Sequence, residues 1–274
     1  MPNEQVKNIM ISRIAGQELK ITDDNVAIEE PLEIQLQYST ATGRMKKNIA
    51  VTMRTPGNDI ELAAGFLLTE GIVQGMDDIE TVHAPNENTV LVTLKENLLP
   101  ALYNSERNFY SSSSCGICGK ASIEAIRVDP SFGKKLADPQ TTFEIIYGLP
   151  STLRSMQTVF ENTGGIHASG LFDMDGNCIM IREDIGRHNA LDKLIGAMFL
   201  KQQLPLDNHL LLLSGRASFE LIQKAAMAGI RMVIAVGAPS SLAVELAIEH
   251  DMTLAGFLRD RKFNIYCGEQ RINS

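Results

Sequence analysis

Apolar and polar positions alternate with a period of two along 8–14, 32–38 and 47–54. This is the pattern of strands with one covered face. Thr42-Gly43 marks a turn between the last two. Asn58, with Glu61 three residues on, forms a capping-box signature. Ile60, Ala63, Ala64, Leu67 and Leu68 then make one stripe of a helix over 59–69, ended by Gly71. Two further strands are predicted near 79–83 and 89–94, with Pro85-Asn86-Glu87-Asn88 as the turn. These elements make a small α+β domain over 1–105. Residues 97–120 lack apolar periodicity, and 106–120 form a Ser-rich loop.

Residues 129–142 read as a second polar connector, and the pattern changes from Ser151. A helix over 152–161 is entered from Leu149-Pro150-Ser151. Strands over 166–172 and 178–182 flank a tight turn at Asp175-Gly176. A helix over 186–200 carries the stripe Leu191, Leu194, Ile195, Met198. Short apolar runs at 209–213, 232–236 and 253–258 read as buried parallel strands, alternating with helices over 217–228 and 242–250. A last strand is predicted over 263–266. Alternation at crossover spacing implies α/β architecture over 121–274, with an at least partly parallel sheet packed by helices.

Composition narrows the function classes. The chain has 274 residues, 44% hydrophobic and 21% charged, with a net charge of −8. An acidic chain is not a general nucleic-acid binder. Residues 1–15 lack the apolar stretch of a secretory leader, and no apolar run approaches the ~20 residues that span a bilayer. No membrane insertion is expected, and the expected compartment is the cytoplasm.

The densest chemistry lies at Ser-Ser-Ser-Ser-Cys-Gly-Ile-Cys-Gly-Lys, 111–120. Cys115 and Cys118 sit in a loop composition that runs into helix formers, where helix-end N–H groups would lower a thiol pKa. Zinc would need two more ligands at suitable spacing. Cys178 and Cys267 stand alone, and the five histidines form no ligand pair. A thioredoxin-like dithiol would join a strand to a helix early in a βαβ unit, and a structural disulfide would not stay closed in a reducing cytosol. The pair therefore reads as sulfur handling through a persulfide, with no metal.

Three strand-to-helix turns carry further candidates: 182–188 with Glu183, Asp184, Arg187 and His188; 213–218 with Ser214, Gly215 and Arg216; and 236–241 with Gly237. Ligands bind beyond the carboxyl ends of strands in open α/β sheets, and helix N-termini suit anions. The same residues also serve as plain helix caps.

Several segments together resemble the FdhD family, the formate dehydrogenase accessory sulfurtransferases. They are Ser113-Ser-Cys-Gly-Ile-Cys-Gly119, Leu62 to Gly71, Thr163-Gly-Gly-Ile-His-Ala168, Glu183 to Lys193, Ser214 to Glu220, Lys224 to Gly229 and Leu254 to Arg259. They run in order along most of the chain. The resemblance implies a cytidine-deaminase-like core in the C-terminal domain. It implies transfer of sulfur from a cysteine desulfurase to a molybdenum bis-guanine-dinucleotide cofactor, which then enters the formate dehydrogenase catalytic subunit. Cys115 would hold the persulfide and Cys118 would assist or relay. The family's cofactor segment falls on Phe257, Leu258, Arg259, Asp260, Arg261 and Lys262, where three cations crowd around one acid. The family often has glycine in this turn, and here there is none from 258 to 264. Deaminase chemistry is not expected: Ser169 stands where the zinc motif needs Glu, and no proline precedes Cys115. The competing reading is a cofactor chaperone that binds the nucleotide without chemistry. A homodimer is compatible with either reading.

Overall fold

A computed structural model describes residues 5–96, 98–100 and 136–274. The Cys115 and Cys118 site lies outside the described residues.

The first strands are β1 (Val6–Ala15), β2 (Glu18–Ala27), β3 (Glu30–Thr40) and β4 (Gly43–Arg54). β1 and β2 pair only with each other, as an antiparallel ribbon. β1, whose alternation predicts one covered face, and β2, which the sequence does not mark, are both largely exposed on both faces. Next come α1 (Asp59–Thr69), β5 (Ile79–Asn86) and β6 (Thr89–Leu94). A four-stranded sheet of order β4-β3-β6-β5 lies against α1.

α1 has the predicted bounds but not the predicted cap. Asn58 stands at φ 59 and makes no side-chain cap bond. Glu61 instead takes Arg182 bidentately, at 2.5 and 2.8 Å. A fork-to-carboxylate pair is stronger than a neutral amide cap, so Glu61 is drawn off the helix end. Gly71, at φ 70, closes the helix as predicted. Its N–H reaches the Leu68 carbonyl, and that of Ile72 reaches Leu67.

The remaining elements are β7 (Thr141–Thr142), α2 (Phe143–Met156), α3 (Thr158–Thr163), β8 (His167–Phe172), β9 (Cys178–Asp184) and α4 (Arg187–Leu200). β10 (Leu210–Leu213), α5 (Phe219–Met227), β11 (Met232–Ala235) and α6 (Ser241–Glu249) follow, then β12 (Thr253–Arg259), β13 (Lys262–Cys267) and β14 (Ile272–Asn273). The expected helix over 152–161 is two helices. α2 begins at Phe143, where the Thr142 hydroxyl caps the Ile145 N–H, and runs through Pro150. The break falls at Gln157. There the Glu183 carboxylate takes the first free N–H groups of α3, from Val159 and Phe160, at 3.0 Å each.

The large sheet has the order β13-β12-β11-β10-β8-β9. β10, β11 and β12 are parallel, and β8, β9 and β13 are antiparallel to their neighbours. The fold is mixed α/β. Leu210, Leu212, Met232, Ile234 and Ala255 face α2 on one side. Leu211, Leu213, Val233, Ala235 and Leu254 face α4, α5 and α6 on the other. That second core continues without interruption through α1 into the four-stranded sheet. α4 is therefore buried on every face from His188 to Phe199. It crosses α1 at Gly65 and Gly196, which bring the two backbones together.

At the opposite edge of the sheet, Arg231 and Arg271 both bind Asp251. Arg231 also reaches the Ala137 carbonyl, and Arg271 binds Asp138 at 2.6 Å. Asp207 takes the Ala137 N–H at 2.7 Å. The chain is thus fastened to the sheet before it enters β7.

Candidate functional site

The carboxyl ends of β10, β11 and β12 lie side by side, so three turns meet at one edge. A row of backbone hydrogen bonds joins them. The Gly237 N–H donates to the Gly215 carbonyl at 2.9 Å, and the Phe257 N–H donates to the Gly237 carbonyl at 3.1 Å. A Cβ on Gly237 would stand 2.9 Å from the Arg216 nitrogen and from the Gly215 oxygen. Only glycine lets these turns approach so closely.

Ser214 ties the row to β8. Its N–H donates to the Ala168 carbonyl at 3.0 Å, and its Oγ accepts from the Ala168 N–H at 2.9 Å. His167 begins β8 and stands over Gly215, where a Cβ would lie 3.4 Å from its Nδ1. Burial pushes the His167 pKa down, Arg187 adds to this and Asp184 opposes it. The imidazole is therefore neutral at physiological pH. Arg216, Arg259 and Lys262 are exposed. None of them meets an acidic side chain among the described residues.

The segment 257–262 divides by direction. Phe257 sits in a β-bulge at φ 57 and is 39% exposed. Leu258 points into the core beneath α2. Arg259 pairs in register with Lys262 across a two-residue turn, Asp260-Arg261, whose φ angles are 50 and 53. A tight hairpin needs positive φ at both positions, and here it is made without glycine. Asp tolerates this conformation, whereas Arg is strained in it. Arg261 has compensating contacts: it binds Glu144 at 2.6 Å and lies 4.9 Å over the Tyr147 ring. One of the three cations is thereby committed to α2.

His188 is placed differently from the row. It is 4% exposed in the first turn of α4, with Nε2 3.4 Å from Ser218 Oγ and 3.9 Å from Glu220. It ties α4 to the start of α5. Beneath it, Asp184 and Lys193 form a wholly buried ion pair at 2.7 Å. Asp184 also accepts from the N–H groups of Thr55 and Gly186 and from Asn189 Nδ2. Burial pushes the Asp184 carboxyl up, and Lys193 and these donors pull it back. These bonds tie the turn that precedes α4 to Thr55 and to Asn189.

Beside the row, a cavity of about 530 Å³ opens between α2, α3 and β8, lined by Arg154, Gln157, Phe160, Gly164, His167 and Ser214. Sequence reasoning did not reach Arg154 or Gln157, because helix periodicity gives an exposed Arg and a helix-end Gln no distinction. The one available signal was Gly164-Gly165 directly before a strand. Gly164 takes φ 66 there to close α3. No cluster of metal-ligating side chains occurs among the described residues, and no described helix is long and apolar enough to cross a membrane.

The whole arrangement has relatives. A solved structure of a formate dehydrogenase accessory protein from Desulfotalea psychrophila superposes with a TM-score of 0.76 at 23% identity, covering 98% of this chain and 100% of that one. It has the same fold. Sulfur carrier protein FdhD of Mycolicibacterium paratuberculosis is 48% identical, over 91% of this chain and 92% of its own. The protein of that name from Picrophilus torridus is 45% identical over 94% and 96%. The profile of the FdhD/NarQ family matches residues 27–273. With nearly its full length in register with these sulfur carrier proteins, the chain belongs to the FdhD/NarQ family.

Proposed function

We propose that this protein accepts sulfur from a cysteine desulfurase on Cys115 and delivers it to a molybdenum bis-guanine-dinucleotide cofactor held at the carboxyl edge of the large sheet. The observation that carries the reading is the hydrogen-bonded row of Gly215, Gly237 and Phe257. It is flanked by Arg216, Arg259 and Lys262, whose charges no acid among the described residues neutralises. Close-approach glycines and free cations at strand ends suit the phosphates of a dinucleotide.

The sulfur chemistry balances within the cysteine pair. The Cys115 thiolate attacks the terminal sulfur of the desulfurase persulfide. The S–S bond to the desulfurase breaks, its thiolate leaves, and Cys115 becomes the persulfide. The Cys118 thiolate then attacks the inner Cys115 sulfur. HS⁻ leaves as a ligand for the molybdenum of the substrate, and a Cys115–Cys118 disulfide forms. The two electrons that reduce the sulfur come from this pair, and a cellular thiol resets it. The cycle needs a reducing compartment, the cytoplasm. The sulfurated cofactor then passes to the formate dehydrogenase catalytic subunit.

Two outcomes are expected. After incubation with a desulfurase and cysteine, mass spectrometry should find one added sulfur atom in the peptide containing Cys115, and none there in Cys115→Ala. An adduct confined to Cys178 or Cys267 would refute the assignment. By calorimetry, Arg216→Ala and Arg259→Ala should each weaken GDP binding about ten- to a hundredfold, the loss of one charge-assisted contact. Arg261→Ala should do less, since Glu144 already shares that charge. Unchanged affinity in Arg216→Ala and Arg259→Ala together would move the nucleotide elsewhere.

A further inference from the structure

We propose that the free face of the β1–β2 ribbon is the surface on which the cofactor-receiving enzyme docks. The inference rests on reading the protein as a carrier that delivers its cargo to a formate dehydrogenase catalytic subunit.

Side chains alternate across a ribbon, so its register sorts them into two faces. Ile11 stands opposite Thr22, and these two, with Ile9 on the same face, are partly covered. The other face holds Ile14 opposite Leu19, Ile21 opposite Ser12, and Met10 opposite Asp23. There Met10, Ile14, Leu19 and Ile21 are 75, 71, 65 and 64% exposed. Scattered apolar side chains at a surface are ordinary, but four contiguous ones mark a contact. Among the described residues the ribbon joins no other strand, so both outer edges keep free N–H and C=O groups. A two-stranded ribbon alone is marginally stable in water. This one is fixed at its base: the Ile28 N–H donates to the Gln5 carbonyl at 2.9 Å, and Gln5 Nε2 donates to the Pro56 carbonyl at 2.8 Å.

Position selects the occupant. α3 packs against both strands of the ribbon. It leads through Gly164 and Gly165 toward β8, whose His167 stands over Gly215. An enzyme that grips the ribbon therefore meets the carrier beside the sheet edge from which the cargo has to leave. Size points the same way. Four side chains cover well under the roughly 800 Å² per partner of a stable interface. That suits a carrier that must release its client, and not a permanent second copy. The client needs an apolar groove or an open strand edge at its cofactor entrance, since a ribbon with free edges adds readily to another sheet.

The test measures binding of the purified, cofactor-free formate dehydrogenase catalytic subunit to the full chain by interferometry. Ile14→Lys with Leu19→Glu replaces an apolar cross-strand pair by an oppositely charged one, which keeps the ribbon paired. Met10→Thr with Ile21→Thr is a milder second variant that retains strand propensity. Ile248→Thr, 60% exposed on α6, is the control. Each ribbon variant should weaken binding about tenfold or more, and the control should bind as wild type does. GDP affinity and sulfur loading of Cys115 should be unchanged in all three. Wild-type affinity in both ribbon variants would overturn the surface and leave the delivery reading standing. Failure of wild type itself to bind the subunit would overturn the delivery reading and the surface together. A particle mass halved in the ribbon variants would assign the face to a second copy, against the proposal. Sulfur loading lost in them would assign it to the desulfurase, again against the proposal.

Discussion

Gly196→Ala should unfold this protein or cost it well over about 3 kcal/mol, at the upper end of overpacking effects. The methyl would be driven into the Glu61 carbonyl oxygen, with Gly65 N only 2.7 Å away. Gly65→Ala should do the same from the other side, against the Asp192 carbonyl and 2.9 Å from Gly196 N. Both obstacles are backbone, so neither yields by a rotamer change. Relief would require α1 and α4 to separate, opening the core between the two sheets. Gly148→Ala is the control. It lies on the exposed side of α2 with open space at its Cβ, so the exchange should be neutral or gain about 0.5–1 kcal/mol. Urea unfolding of the three variants checks the contrast. A small loss for Gly196→Ala would mean that the helices do not cross this closely.

Lys193→Met should cost about 3–5 kcal/mol, the usual penalty for stranding one member of a buried ion pair. Lys193 and Asp184 are both 0% exposed by side chain, and Lys193 Nζ also donates to the Thr55 carbonyl at 2.7 Å. Removing the ammonium leaves a carboxylate that burial already pushes upward. The sign of the pH effect follows. With its folded pKa above the unfolded value of about 3.9, protonated Asp184 favours the folded state at low pH. That contribution disappears as pH rises through the folded pKa. The deficit of Lys193→Met should therefore shrink on acidification. Adding Asp184→Asn should recover part of it at neutral pH, since no buried charge then remains. A deficit independent of pH and untouched by the second substitution would show that Lys193 acts through packing alone.

The sequence expressed the fold wherever burial was one-sided or complete. The bounds of α1 follow from its stripe and Gly71. The runs 209–213, 232–236 and 253–258 are apolar because both faces of the large sheet are covered. Signals failed where tertiary contacts overrode local ones. Pro150 looked like a helix start, yet α2 runs through it. Glu61 looked like a cap, yet it binds Arg182. The helix over 186–200 read as carrying a single apolar stripe, Leu191, Leu194, Ile195 and Met198. In fact α4 has no solvent side, and Asp192 is buried against Thr69 and Lys224. At the candidate site the turns and glycines were legible because strand ends converge in any such sheet. The cavity was not, because its walls come from α2, α3, β8 and the turns after β10 and β11, brought together only by folding.

The uninterrupted core across α1 and α4 has a further consequence. Residues 59–69 and 187–200 hold each other by surface fit, and Ala137 and Asp138 are clamped to the far edge of the sheet by Arg231, Arg271 and Asp207. The two sheets are thus joined by packing between described residues on either side of 101–135, so fragments 1–100 and 136–274 should bind each other when mixed.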